Sequence, residues 1–171
     1  MATVATQQQS SARLYTITLS TLNSSTGLNF GRAGTAVVST ALDCVDYMVG
    51  GLLTTSSSVT PTGAKQIEIW SYATYDSNGS NYNGGATGSD ADLTTTLKPL
   101  MRLITILPIP ATTTTSQAYT WGPYSIAQTY GGALPPEWGL FITQNSCQNL
   151  HGSTNSSYHQ TMYTPIYYQS S

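Results

Sequence analysis

Seven carboxylates, two histidines and two cysteines are the side chains of this 171-residue chain best suited to act as acids, bases, nucleophiles or metal ligands. The acids are Asp43, Asp46, Asp76, Asp90, Asp92, Glu68 and Glu137. Glycoside hydrolysis needs two of them facing each other across a cleft, about 5 to 10 Å apart. Glu68 falls mid-strand beside Trp70 and Tyr72, and Glu137 follows Pro135-Pro136 directly before Trp138, so these two form the conceivable pair. The competing expectation is that Glu68 pairs with a Lys or Arg across the sheet and that Glu137 terminates a loop. Nucleophilic catalysis needs a histidine beside Ser or Cys. Only His151 and His159 exist, both in or beside a polar tract, and no Gly-x-Ser-x-Gly elbow is present. A mixed metal site from Cys147, His151 and His159 has no recognised ligand spacing.

The stretch from Asp76 to Asp92 is the richest in oxygen donors. Asp76, Asn78, Asn81, Asn83, Asp90 and Asp92 stand among glycines, a donor set calcium accepts, but without EF-hand spacing. Asn, Asp and Gly are also ordinary turn formers, and a structured loop without metal is the expectation. Gly79, Gly84, Gly85 and Gly88 are not followed by Lys-Ser or Lys-Thr, so no phosphate cradle is read here. No catalytic, cofactor-binding or metal-binding residue is therefore assigned, and the chain is expected not to be an enzyme. Tyr72, Tyr75, Tyr82, Trp121, Tyr124 and Tyr130 offer rings that serve either as a sugar-stacking platform or, as we expect, as subunit contacts and core margins. Cys44 and Cys147 are too few for a disulfide scaffold and read as buried free thiols. The triplets starting at Asn23, Asn78 and Asn155 match glycosylation acceptors, a match expected by chance in so Ser-rich a chain.

The elements that must position these residues read as strands. Thr, Tyr and Trp suit a pleated, half-buried surface, while the strong helix formers Glu, Lys and Arg are scarce. Leu14 to Leu19 alternates, with Tyr15, Ile17 and Leu19 on one face. Short strands are expected over Ala33 to Val38, Leu100 to Leu107 and Trp138 to Thr143. Val45 to Leu53 reads as a core strand with a bulge at Gly50-Gly51. Ala64 to Tyr75 is the clearest strand: Ile67, Ile69, Ser71 and Ala73 share one face, and Gln66, Glu68, Trp70, Tyr72 and Thr74 share the other, which is either covered or meets a partner. In Gln117 to Ile126, Pro123 predicts an edge or a bulge. Gly131-Gly132 permits positive φ, and Trp138 is placed to plug one end of the fold. Tyr158 to Tyr168 closes the set, interrupted at Pro165. Polar loops fill 56–63 and 112–116. The fold class is all-β: a single-domain antiparallel β-sandwich over 13–171, jelly-roll-like, with about eight strands and a flexible N-terminal arm over 1–12.

Charge restricts the partners. Five Lys+Arg against seven Asp+Glu give a net charge of −2, and the basic residues are scattered singly, so direct nucleic-acid binding is not expected. No apolar run is long enough to span a bilayer, and the start of the chain carries no targeting pattern.

Three stretches resemble a family of small virion-associated structural proteins of tailed bacteriophages. They are Lys65-Gln66-Ile67-Glu68-Ile69-Trp70-Ser71-Tyr72-Ala73, the loop Asn81-Tyr82-Asn83-Gly84-Gly85-Ala86-Thr87-Gly88-Ser89-Asp90, and Trp121-Gly122-Pro123-Tyr124-Ser125-Ile126-Ala127 with Tyr130-Gly131-Gly132-Ala133-Leu134-Pro135-Pro136-Glu137-Trp138-Gly139. The resemblance implies a virion location and a role as a capsid decoration or cement protein. Such a protein bridges and stabilises major capsid subunits and meets copies of itself, as a homo-oligomer for which a homotrimer is the analogy. The alternatives it leaves open are a tail, baseplate or connector protein and a carbohydrate-binding module of a phage fibre.

Overall fold

The structure is a computed structural model that describes residues 5–20, 22–39, 44–56, 63–76, 79–111, 116–154 and 156–170, with the backbone alone for 5–8 and 169–170. Asp43, Asn78, Asn155 and most of the loops expected over 56–63 and 112–116 lie outside the described residues. Eleven strand segments are described: β1 (Ala5–Gln9), β2 (Arg13–Leu14), β3 (Phe30–Ala33), β4 (Val37–Val38), β5 (Cys44–Thr54), β6 (Lys65–Thr74), β7 (Ala91–Thr94), β8 (Arg102–Ile109), β9 (Ala118–Ser125), β10 (Glu137–Gln144) and β11 (Gln160–Ser170). They build two antiparallel sheets that fit a single-domain β-sandwich. Sheet A runs β1-β11-β5-β9, with β2 beside β11, and sheet B runs β7-β3-β10-β6-β8, with β4 beside β10. Hydrogen-bonded neighbours are non-consecutive throughout, the two-residue strands β2 and β4 included, so the sheets are not built from hairpin meanders.

The alternating patterns decide which faces go inward. In β6, Ile67, Ile69, Ser71 and Ala73 are buried between the sheets, as the alternation predicts. β9 lies at the edge of sheet A, where Pro123 placed it. The register between β5 and β9 shifts between Val49 and Gly51, the irregularity that Gly50-Gly51 forecast. Trp138 is fully buried and meets Tyr15 stacked at 5.9 Å, Tyr47 tilted at 5.3 Å and Tyr163 edge-on at 6.0 Å. This aromatic cluster joins the two sheets, and burying each ring contributes about 2 to 3 kcal/mol.

Several elements differ from the sequence expectation. Part of the arm expected over 1–12 has a seat on its own chain: β1 pairs with β11 from Ala5 opposite Ser170 to Gln9 opposite Ile166. Backbone pairing needs no apolar anchor, which is why polar Gln residues gave no sign of it. Leu14 to Leu19 keeps its predicted faces, with Tyr15 and Leu19 buried, but only Arg13–Leu14 is ladder-paired. Beyond it the backbone crosses between sheets: Tyr15 N–H donates to Thr161 on β11, and Thr16 accepts from Thr35 beside sheet B. Ala33 to Val38 splits into β3 and β4, both against β10. Pro165 does not interrupt β11; it sits opposite Tyr47, and the register shifts one residue later.

The second face of β6 is covered by the chain itself. Residues 79–101 fold across the outside of sheet B and bury Tyr72 and Phe141 beneath Ala86, Met101, Tyr82 and Leu93. Tyr72 lies flat against Gly139 on β10, where a Cβ would collide with its ring, and its hydroxyl donates to the Gly34 carbonyl.

Candidate interaction face

The described carboxylates weighed for catalysis are dispersed and occupied. Glu68 accepts from Gln66 Nε2 at 2.6 Å, Trp70 Nε1 at 2.9 Å and Lys98 Nζ at 2.6 Å. Lys98 is the cation expected for it, although it comes from a 3-10 turn, Lys98–Leu100, rather than from a neighbouring strand. Glu68 lies opposite Thr143, whereas Glu137 lies opposite Thr74 at the far end of the same strand pair. That separation is about 20 Å, too far for the glycosidase geometry. Glu137 accepts from the Tyr82 hydroxyl, and burial followed by Glu137 pushes that phenol up to about 12. Asp46 caps the one-turn helix Ile126–Thr129: it accepts from Ser125 Oγ at 2.6 Å and Ala127 N–H at 2.8 Å.

The described residues of the donor-rich loop are divided between three tasks. Asp76 holds Ser80 and Asn81 in a tight turn. Asn83 accepts from Ala73 N–H and donates to the Leu100 carbonyl, which pins the loop to sheet B. Asp90 and Asp92 bind Arg32 on β3 at 2.6 and 3.0 Å. Burial pushes the Asp90 carboxyl up, but its bonds from Arg32 and Thr18 outweigh that and hold it below the usual carboxylate range. Among the described residues no three His, Cys, Asp or Glu side chains come together as metal ligands. Both thiols are free, as expected, but neither is buried: Cys44 is half-buried and Cys147 is exposed in a loop at positive φ. His151 and His159 meet each other rather than Cys147: His159 Nε2 lies 2.8 Å from the His151 carbonyl.

The six rings weighed for stacking are scattered. Tyr72 and Trp121 are buried, Tyr130 is half-buried with its hydroxyl on Ser71, and Tyr82 is engaged with Glu137. Tyr124 stacks on Trp121 at 6.5 Å and its hydroxyl meets Thr105 on β8. Only Tyr75 keeps most of its ring in solvent, at 67% exposure.

What the sequence reading passed over is the outer margin of sheet B. Leu103 lies opposite Trp70, Ile106 opposite Glu68 and Pro108 opposite Gln66, so all three side chains share the outer face. Leu103 and Ile106 are each 43% exposed, and Leu97 and Leu100, in the turn that precedes β8, are 50% and 59% exposed. These residues form an apolar stripe along the last strand of the sheet, beside the Glu68–Lys98 pair. A clue was available: Arg102 to Ile109 is apolar on both faces of the pleat, and a strand at the sheet margin has only one face to bury. The open edge of β8 is poorly suited to adding another strand. The Gln66 backbone bonds Asn145 on the β10 side, which turns the opposite residue, Pro108, toward the open edge, where it offers no N–H. A bulge at Ile104 breaks the register as well. The margin therefore presents side chains rather than a template of backbone bonds.

No protein-family model, curated protein or solved structure matches this chain.

Proposed function

We propose that this chain is a non-catalytic virion structural protein, a capsid decoration or cement protein that grips shell subunits and copies of itself through the apolar margin of sheet B. The observation that carries the reading is the exposed stripe Leu97, Leu100, Leu103 and Ile106. The engagement of the described carboxylates in structural bonds supports a binding role over a catalytic one. The resemblance of its three sequence stretches to phage virion proteins supplies the setting.

Magnitudes favour an array over an isolated pair. Completing the burial of four half-exposed aliphatic side chains contributes about 4 kcal/mol, which alone corresponds to about millimolar affinity. A contact that weak matters where many copies act together on a repeating surface. A tail, baseplate or connector position would use the same surface, and imaging separates these sites. Labelled protein is expected on the heads of intact particles. The double variant Leu103→Glu, Ile106→Glu is expected to fold but to load at least about tenfold less well onto undecorated shells. Absence of label from particles, or undiminished loading of that variant, would overturn the proposal.

A further inference from the structure

The outer face of sheet A has no cover of the kind that residues 79–101 give sheet B. An antiparallel sheet with one face in water alternates apolar residues inward with polar residues outward. β5 and β11 depart from this. Their inward residues Tyr47, Val49, Leu53 and Tyr163 belong to the core. The residues that alternate with them face outward and are also apolar: Met48 and Leu52 on β5, Met162 and Ile166 on β11. All four are half-buried and lie outside both hydrophobic clusters. Leu14, opposite Met162, is 66% exposed, and Tyr168, near the end of β11, is 50% exposed. Among the described residues no strand or helix crosses this face, and the one-turn helix Ile126–Thr129 meets its Asp46 end. A hollow of about 260 Å³ opens between Met48, Met162 and Pro123. There β9 approaches so closely that a Cβ on Gly50 would lie 2.8 Å from the Trp121 carbonyl oxygen.

We propose that this face packs against the same face of a second copy about a twofold axis, sheet against sheet. Charge points to a copy of itself. Among the described residues of the face, Asp46 alone is charged at neutral pH, and its carboxylate is taken by Ser125 Oγ and by the N–H groups of Tyr47 and Ala127. Two identical faces therefore meet without the like-charge repulsion that a charged surface imposes on self-pairing. Area is sufficient. At about 4.8 Å between strands and about 3.4 Å per residue, the four strands of sheet A between Cys44 and Leu52 present about 500 Å². Two such faces bury about 1,000 Å² in total, the least that a specific interface needs. Shape agrees as well, because the hollow receives an apolar side chain from the facing copy and methionine adapts readily to such a gap. The inference goes beyond the role proposed for the sheet B margin and shares no residue with that stripe.

Sedimentation equilibrium of the full chain tests it. Between about 1 and about 300 μM a monomer–dimer equilibrium is expected, with a Kd of about 10 to 100 μM. Met162→Lys and, separately, Ile166→Lys should weaken the dimer at least about thirtyfold, because the twofold axis places two unpaired cations in the contact. Circular dichroism checks that each variant keeps its strands. Met162→Leu, which preserves the apolar bulk, should stay within about threefold of the unaltered chain. The double variant Leu103→Glu, Ile106→Glu should also stay within about threefold, since its sites lie on the other sheet. That variant separates this contact from the sheet B margin, whose own affinity is about millimolar. A chain that remains monomeric up to about 300 μM, a dimer that folded Met162→Lys and Ile166→Lys both retain, or a dimer lost in the Leu103→Glu, Ile106→Glu variant would each overturn the proposal.

Discussion

Lys98 closes Glu68 into a site where the carboxylate has three donors and little water. The side chains are 14% and 8% exposed, and the ammonium also bonds the Leu28 carbonyl at 2.9 Å and lies 5.2 Å from the centroid of the Trp70 ring. Removing one partner of a buried pair leaves the other charge uncompensated, which costs more than the pair itself contributes. Lys98→Ala is therefore expected to lower stability by about 3 kcal/mol. Adding Glu68→Gln should recover part of that loss, because the neutral amide no longer needs a cation. Urea denaturation of the two single variants and the double variant measures this coupling, and strictly additive losses would contradict it. The sequence told us that Glu68 wanted a cation and could not tell us which. The partner lies thirty residues on, and only the closure of residues 79–101 over sheet B brings it there.

At the level of elements, the segment following β10 is strapped to the end of β5 through its histidines. His159 Nδ1 accepts from Thr54 N–H at 3.4 Å, and its Nε2–H donates to the His151 carbonyl. His151 N–H in turn donates to the Thr54 carbonyl, its Nδ1 accepts from Ser153, and its ring stacks on Tyr158 at 3.6 Å. Accepting at Nδ1 requires the His159 ring to be neutral. Burial lowers the pKa of His159 from its ordinary value, and outweighs the hydrogen bond to the His151 carbonyl, which acts to raise it. A folded value below the unfolded one means that the stabilisation is fully present above about pH 6.5 and is lost as pH falls through the lower folded value. The midpoint of thermal unfolding is thus expected to drop between about pH 7 and pH 5. His159→Gln, which can accept and donate at similar positions without titrating, should flatten that drop. An unchanged pH profile in the variant would remove His159 from the explanation. The Asp90–Arg32 pair responds only at lower pH, since its carboxyl is held below the usual range, so the two effects separate.

Across the whole molecule, the topology sets what must form together. Each ladder joins strands distant in the chain, such as β1 with β11 and β3 with β10. Loop-closure entropy must be overcome before such contacts stabilise anything, so folding is expected to be slow for a domain of this size. β1 matters to this architecture because it covers the edge of β11. Deleting residues 1–9 should lower the unfolding midpoint and promote association through the uncovered edge, measurable by calorimetry and light scattering. An arm that served only neighbouring molecules would leave both unchanged.

The amino-acid sequence by itself determined the period and the alphabet. The alternation of Ile67, Ile69, Ser71 and Ala73, the hydroxyl-rich exposed positions and the scarcity of helix formers specify strands with one face for a core. Gly50-Gly51 and Pro123 marked where the ladders bend or end. These are local properties, because they follow from the pleat and from backbone sterics. The tertiary structure alone decided that a donor-rich loop would seal the outer face of sheet B, that polar residues 5–9 would complete sheet A, and that Leu103 and Ile106 would be left in solvent. Those outcomes depend on which distant segments meet. Exposure belongs to a strand's neighbours in space, and no spacing along the chain records them.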